Sequence, residues 1–205
     1  MIEAFIENIH WLGHDGFRIE AGKTVYIDPY QIPGGPVADL ILITHEHFDH
    51  CSPDDVAKIQ GPGTVIVTEK DSARKLTGDI RVVAPGDTVV VNGIRVLAVP
   101  AYNLDKTFHP RSKGWLGFVV EIDGIRLYHA GDTDNIPEMK ELQVDIALLP
   151  VSGTYVMTAE EAACAAMAVG PKVAIPMHYG SVVGSGSDAQ TFKTALEGKV
   201  SVVIK

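Results

Sequence analysis

The segment 45–50 concentrates residues that bind metals. It contains three histidines and an aspartate and follows a largely apolar run that is typical of a buried strand. Such groups are costly to desolvate unless something binds them. His45 and His47 are two residues apart, so in extended backbone they point the same way and can bind one ion. Asp49 and His50 are adjacent and must lie on a turning backbone, which favours a second ion. The segment therefore predicts a pair of metal centres.

Composition restricts the class of protein. The chain has 205 residues, enough for one domain with a substantial core, and we expect a single domain over 1–205. Its charged fraction of 21% is ordinary for a soluble globular protein. A formal net charge of −9 argues against nucleic-acid binding by phosphate neutralisation. We expect a small-molecule substrate, no nucleic-acid partner and no membrane partner, whereas the oligomeric state is left open.

Localisation and the two cysteines give simple expectations. The N-terminal residues lack the basic start and apolar stretch of a signal peptide. The longest apolar run, 162–169, is too short to span a bilayer. Cys51 and Cys164 are too few for a disulfide framework. We interpret Cys51 as a small buried residue at the start of a helix and not as a ligand. These features predict a cytoplasmic protein.

Short β-rich runs separated by turn residues dominate the chain. The predicted strands are Gly16–Glu20, Thr24–Asp28, Leu40–Thr44, Thr64–Thr68, Ile80–Ala84, Thr88–Val91, Ile94–Val99, Gly117–Ile122, Ile125–His129, Asp145–Pro150, Val173–Pro176 and Val200–Ile204. Asn92-Gly93 and Asp123-Gly124 predict two hairpins, because these dipeptides tolerate the positive φ values of a type I′ turn.

Helices are fewer than strands. Ser52-Pro53 predicts a helix start, with the helix running to about Ile59. A capping box at 158–161 opens an Ala-rich helix that ends at Gly170. Further helices are expected at 71–76 and 188–197. Many strands, and helices near the end of each half, predict an α/β (α+β) protein with two sheets face to face and helices outside.

Three further residues follow predicted strands in a way that suits a site. Asp132 comes after one strand, beside Gly131, which lets the backbone turn sharply. His178 follows another strand, and Asp28 ends a third directly before a proline. Each of these features alone would be uninformative.

Together with segment 45–50, these residues resemble the metallo-β-lactamase superfamily. The pattern His-x-His-x-Asp-His is similar to its defining motif, Gly131-Asp132-Thr133 to its bridging-aspartate motif, and Met177-His178 to its final histidine. The match is collinear from Asp28 to His178. The resemblance implies a four-layer αβ/βα sandwich of two mixed β-sheets. Segments 11–14, 115–118 and 128–133 look most like the small branch of predicted metal-dependent hydrolases that includes L-ascorbate-6-phosphate lactonase.

The resemblance also implies ligand roles. It places the first metal on His45, His47 and Asp132, and the second on Asp49, His50, Asp132 and His178, with Asp132 bridging. Asp28 resembles an aspartate that orients a ligand histidine through its other ring nitrogen.

One position departs from the family pattern. The family usually supplies a third histidine to the first metal, but the matching place holds Asn103. Either His109 folds back to fill the position, or Asn103 is a weak oxygen ligand, or the first site is weakened. We favour His109, although it could also be an ordinary loop histidine.

The remaining candidates are weighed against structural roles. His14 lies in a turn near the expected metal edge and is a candidate for contacting substrate. We interpret His10 and His129 as structural, because they lie within predicted strands. The basic residues of the loop around His109 could bind an anionic group or simply be solvated. They are Lys106, Arg111 and Lys113.

The resulting hypothesis is a metal-dependent hydrolase that attacks an ester, lactone or phosphodiester with a metal-bound hydroxide, with Asp49 as a catalytic residue. Two divalent ions are expected, zinc first because most ligands are imidazoles, with Mn²⁺, Ni²⁺ or iron as alternatives. A net charge of about +1 at the loaded site favours an anionic substrate. The alternatives are a binding or sensing protein without turnover and a di-iron oxidoreductase. The latter is disfavoured because redox members typically carry glutamate where this chain has His47.

Overall fold

A computed structural model describes residues 2–205 and shows two β-sheets, each with its strands side by side in chain order. The first sheet has six strands: β1 (Ile9–Gly13), β2 (Gly16–Glu20), β3 (Thr24–Ile27), β4 (Leu40–Ile43), β5 (Val65–Thr68) and β6 (Asp79–Val82). The second has seven: β7 (Thr88–Val91), β8 (Ile94–Pro100), β9 (Leu116–Ile122), β10 (Ile125–His129), β11 (Ile146–Pro150), β12 (Val173–Met177) and β13 (Ser201–Val202).

The helices flank these sheets. They are α1 (Ile2–Glu7), α2 (Pro53–Ile59), α3 (Lys70–Ala73), α4 (Ala159–Val169) and α5 (Gly186–Ala195), with 3₁₀ helices at Arg111–Lys113 and Pro137–Glu141. Within residues 2–205, no helix combines the length and the hydrophobicity that crossing a bilayer requires.

Both sheets change from antiparallel to parallel pairing. In the first, β1 to β3 pair antiparallel and β3 to β6 pair parallel. In the second, β7 to β10 pair antiparallel and β10 to β13 pair parallel. The carboxyl ends of parallel neighbours meet at one edge of a sheet. The residues that follow β3, β4, β10 and β12 are therefore gathered at sheet edges.

Strand β4 shows how the layers form. Alternate side chains of a strand point to opposite faces. Leu40 and Leu42 pack in the core that joins the two sheets, whereas Ile41 and Ile43 pack in a second core that includes Val56 of α2. Helix α4 packs against β11 and α5 on the second sheet. The arrangement confirms the predicted four-layer αβ/βα sandwich of two mixed sheets.

Most predicted elements are present with shifted ends, and both predicted hairpin turns are confirmed by positive φ at Asn92 and Asp123. Helix α1 was not predicted, and β1 was expected only as a strand around His10, without bounds. Strand β1 is mostly half-exposed and shifts register near Gly13, so it lacks a clear alternation. The prediction of a strand at 200–204 was too long, because β13 pairs through two residues only. The helix expected at 71–76 is Lys70–Ala73, and that expected at 188–197 is Gly186–Ala195.

Candidate metal centre

Segment 45–50 forms a tight turn between β4 and α2. The backbone N–H groups of His50 and Cys51 both donate to the carbonyl of His47, at 3.1 and 2.8 Å. The side chain of Ser52 then caps α2. The chain therefore reverses within the segment and turns its imidazoles toward the sheet edge.

The structure brings three histidines into a first group. One nitrogen from each of His45, His47 and His109 lies within 4.8 Å of the others. His45 Nε2 is 3.0 Å from His47 Nδ1, and the His109 ring centroid is 5.4 Å from that of His45 and 5.2 Å from that of His47. His109, one of the three alternatives for the missing position, therefore lies beside His45 and His47.

Asn103 positions His109 and is itself committed to hydrogen bonds. Its Oδ1 accepts from the backbone N of His109 at 2.9 Å and from Nδ1 of the ring at 3.1 Å. Its Nδ2 donates to the carbonyl of Tyr155 and to Asp134. Because Asn103 Oδ1 can only accept a hydrogen bond, the proton lies on Nδ1 of His109, and Nε2 keeps its free lone pair.

A second group forms around Asp132, which follows β10. His50 Nε2 lies 3.4 Å from Asp132 Oδ1, and His178 Nε2 lies 3.3 Å from Asp132 Oδ2. Asp49 Oδ2 is 3.9 Å from His50 Nε2. Asp132 Oδ2 is also 3.1 Å from His109 Nε2, so this one carboxylate faces both groups.

Asp28 orients two of the three histidines of segment 45–50, His50 directly and His45 through Thr44. Its Oδ2 lies 2.8 Å from His50 Nδ1 and accepts from Thr44 Oγ1 at 2.6 Å. Its Oδ1 accepts from the backbone N of Thr44 at 2.8 Å. Thr44 Oγ1 in turn lies 3.0 Å from His45 Nδ1. One buried carboxylate therefore orients a histidine in each group.

His14 lies against the second group. Its Nε2 is 3.1 Å from Asp49 Oδ2, and its ring centroid is 4.2 Å from that of His178. The backbone N of His178 donates to the carbonyl of His14, and Trp11 Nε1 donates to the same oxygen. Both histidines have positive φ, 52° for His14 and 61° for His178. Such strained backbone in non-glycine residues collects at functional sites.

Asp15 is a member of the centre that sequence reasoning missed. It is fully buried, and one of its oxygens lies close to donor atoms of His50, Asp132 and His178. Burial and the neighbouring Asp132 raise the pKa of Asp15 well above its usual range. In the sequence this residue looks like an ordinary polar residue in the Gly13–Gly16 turn, so no local pattern singles it out.

Burial and neighbouring charges set the protonation of the centre. Burial, reinforced by His50, holds the pKa of His45 well below its usual range, and burial also lowers that of His47. Burial alone would raise the pKa of Asp132, but His178 and His50 hold it well below its usual range. For His50, burial is outweighed by Asp132 and Asp28, which raise its pKa well above the usual value. Neutral imidazoles and an ionised carboxylate are the forms that bind metals, so His50 is the member that must release a proton.

The donor atoms fit divalent ions. His50 Nε2, His109 Nε2 and Asp132 Oδ1 are buried without a hydrogen-bond partner, which is rare for polar atoms in proteins. Bonds of about 2.0–2.1 Å in a tetrahedron place neighbouring ligands roughly 3.3–3.4 Å apart. The separations of 3.1 to 3.4 Å between Asp132 oxygens and the surrounding imidazoles are close to that spacing.

Comparison with known proteins gives the family. The family model described as a beta-lactamase superfamily domain matches residues 8–178, a span that contains both groups. The chain belongs to the metallo-β-lactamase superfamily.

Relatives agree with this membership of the metallo-β-lactamase superfamily. A protein named a metal-dependent hydrolase from Methanoregula boonei is 37% identical over 203 residues, covering 93% of this chain and 90% of the relative. A solved structure assigned as a metal-dependent hydrolase from Parabacteroides distasonis is 36% identical, with a TM-score of 0.86, covering 96% of this chain and 91% of that one. A metallo hydrolase from Ignicoccus hospitalis is 26% identical, with a TM-score of 0.78, covering 96% and 94%. The protein is thus a metal-dependent hydrolase, while the narrower resemblance to L-ascorbate-6-phosphate lactonase stays a prediction.

Three residues considered in the sequence analysis, His10, His129 and Cys51, lie outside the two groups of metal-binding residues. His129 Nε2 donates to the backbone carbonyl of Asp15 at 2.9 Å, and His10 Nε2 lies 3.5 Å from Glu20 on the neighbouring strand. Cys51 is buried two residues before the start of α2, and burial raises the pKa of its thiol to about 11. Among residues 2–205, none of His10, His129 and Cys51 joins a cluster that could hold a metal.

The cations around His109 are already paired. Lys106 Nζ lies 2.8 Å from Asp134, Arg111 Nη2 lies 2.9 Å from Glu138, and Lys113 Nζ lies 2.9 Å from Glu46. Each of the three therefore has its charge balanced within the protein. These three residues are therefore less suited to binding an anionic group than the sequence suggested.

Proposed function

We propose that this hydrolase holds two divalent ions and cleaves an ester, lactone or phosphodiester. The observation that carries the proposal is Asp132, whose Oδ2 lies 3.1 Å from His109 Nε2 and 3.3 Å from His178 Nε2. A carboxylate in contact with two separate donor groups suits a bridge between two ions.

The donor sets follow from the two groups. The first ion would be held by His45, His47, His109 and Asp132, and the second by Asp49, His50, Asp132 and His178. Zinc is the first choice because imidazoles predominate, and Mn²⁺, Ni²⁺ or iron suit the same donors.

Such ions, when bound, lower the pKa of a water toward neutrality and stabilise negative charge on the substrate. The protein's part is to hold the ligands rigidly. Asp28 fixes His50, Ser152 Oγ lies 2.8 Å from His178 Nδ1, and Asn103 fixes His109. With the far nitrogen of each ring engaged, Nε2 is left to face the centre.

Asp49 is the proposed catalytic carboxylate. Burial would raise its pKa, but the hydrogen bond from His14 and the charge of His50 lower it, so Asp49 is ionised near neutral pH. An ionised carboxylate only accepts hydrogen bonds, so His14 Nε2 donates to Asp49 Oδ2. His14 is therefore a positioning residue that leaves the other Asp49 oxygen to orient the attacking water and take its proton.

Removal and return of metal test the proposal. Purified protein is stripped with a chelator, reloaded with Zn²⁺ or Mn²⁺, and assayed on chromogenic esters, lactones and phosphodiesters. Activity should vanish on stripping and return on reloading, and Asp132→Asn should abolish it. His10→Asn is the matched control, because His10 lies outside the centre. A metal-free protein as active as the loaded one would contradict the proposal, and inactivity on every substrate at full metal occupancy would favour a binding protein.

A further inference from the structure

Exposed aromatic side chains collect around the metal centre. Within residues 2–205, the exposed large aromatic side chains are Phe48, Phe108 and Tyr155, with 65%, 50% and 37% of their surface accessible. Together with half-buried Tyr30 they form a set that we call the aromatic rim. Isolated exposed apolar residues need no explanation, but a cluster beside a reactive site indicates a binding surface.

One half of the rim adjoins the second group. Phe48 lies in the chain between His47 and Asp49. Its ring meets Tyr30 edge-on, with centroids 5.8 Å apart. Tyr30 in turn lies 6.5 Å from the ring of His14, which contacts Asp49. The Phe48–Tyr30 pair is therefore continuous with the catalytic carboxylate.

The other half adjoins the first group. Phe108 directly precedes His109, and its ring meets Tyr155 edge-on at 4.6 Å. Tyr155 has φ 71°, an unfavourable value for a bulky residue. Its carbonyl accepts from Asn103 and lies 3.2 Å from His109 Nδ1, so the conformation that helps to hold His109 also fixes the Tyr155 ring beside Phe108.

The charged side chains near the aromatic rim are neutralised by partners within the protein. Lys106, Arg111 and Lys113 each have a carboxylate partner, so exposed rings rather than unpaired cations adjoin the centre. Apolar surface gains most by covering other apolar surface. The ions would supply the attraction for the polar scissile group, and the rings would bind whatever is attached to it.

We propose that the aromatic rim binds an aliphatic or aromatic group attached next to the scissile bond, so that the substrate is an apolar ester or lactone. This inference rests on the proposed hydrolytic function. It deepens that function by assigning the determinants of specificity to Phe48 and Phe108.

A chain-length series tests the inference. With zinc-loaded protein and p-nitrophenyl esters from acetate to octanoate, kcat/KM should rise about two- to fourfold per methylene while the chain reaches the rim. Phe48→Ala and Phe108→Ala should flatten this slope, measured relative to acetate within each variant. Val90→Ala is the matched control, because Val90 is 62% exposed on β7 and should leave the slope unchanged.

A measurement without turnover keeps the inference separate from the proposed function. Calorimetry with the zinc-loaded wild type should show hexylphosphonate binding at least tenfold more tightly than methylphosphonate. Equal affinities, or equal kcat/KM for acetate and octanoate, would overturn the proposed role of the aromatic rim without contradicting the proposed hydrolytic function. Tighter hexylphosphonate binding without hydrolysis of any ester would support the rim and count against the hydrolytic proposal. Both wild-type experiments remain decisive if a rim variant fails to fold.

Discussion

Asn103→Ala is the substitution that best probes how the first group is built. Asn103 is buried, and its side chain makes four hydrogen bonds. Two of these are to the backbone N and ring Nδ1 of His109, at 2.9 and 3.1 Å. Alanine removes all four and leaves the His109 ring only the Tyr155 carbonyl, 3.2 Å from Nδ1, so the ring is held less firmly against Asp132.

The expected cost has two parts. Loss of the partner behind a ligand histidine typically lowers metal affinity by about 10- to 100-fold. The buried backbone N–H of His109 also loses its acceptor, which costs about 1–3 kcal/mol of folding free energy. The first part appears in metal binding, and the second in the unfolding of the metal-free protein.

A double-mutant cycle measures the first part. Zinc affinity is determined by competition with a chromophoric chelator for the wild type, Asn103→Ala, His109→Ala and the double variant. Because Asn103 acts through His109, the double variant should bind zinc no more weakly than His109→Ala alone. Additive losses would show that Asn103 contributes independently, as a ligand would, and would refute this assignment.

Two further predictions concern the packing around the centre. Gly131 has φ 62°, and an added Cβ would lie 2.6 Å from the carbonyl oxygen of Leu116, so Gly131→Ala should destabilise the fold by about 2–5 kcal/mol in urea unfolding. Gly124→Ala, with φ 75° but open space around the new methyl, should cost only about 1–2 kcal/mol, and equal losses would contradict the steric argument. Cys51 is buried and Cys164 exposed, so one thiol should react quickly with a chromogenic disulfide in native protein and two in denaturant. A fast second thiol in the native protein, or a fast phase that survives Cys164→Ser, would argue against this burial.

Residues at strand ends were the part of the site that the sequence could predict. Asp28 ends a predicted strand, segment 45–50, Asp132 and His178 each follow one, and parallel pairing brings the ends of those strands to shared edges. The types of these residues and their positions at strand ends therefore both indicated a metal site. The layered fold followed from the same alternation of strands and turns.

His109 could be proposed but not placed from sequence. It lies in a loop without regular pattern, and its position depends on hydrogen bonds to Asn103 and to the carbonyl of Tyr155, 46 residues away. No local rule gives such a contact. The pairing of Lys106 with Asp134 is of the same kind, because a charged loop residue does not reveal its partner.

The burial of the turn at Gly13–Gly16 could not be predicted from the sequence. His14 and Asp15 look like exposed turn residues, yet both are buried. The backbone N of His178 donates to the His14 carbonyl, and His129 donates to that of Asp15. These bonds come from the second sheet, so the burial of the turn is a property of the assembled sandwich.

Anomalous diffraction from zinc-loaded crystals would show how many ions the site binds and which residues hold them. We expect two zinc peaks per chain, with Asp132 within about 2.0–2.2 Å of both and His109 Nε2 within about 2.1 Å of the first. A single peak, or a first ion completed by Asn103 with the His109 ring turned away, would contradict this expectation.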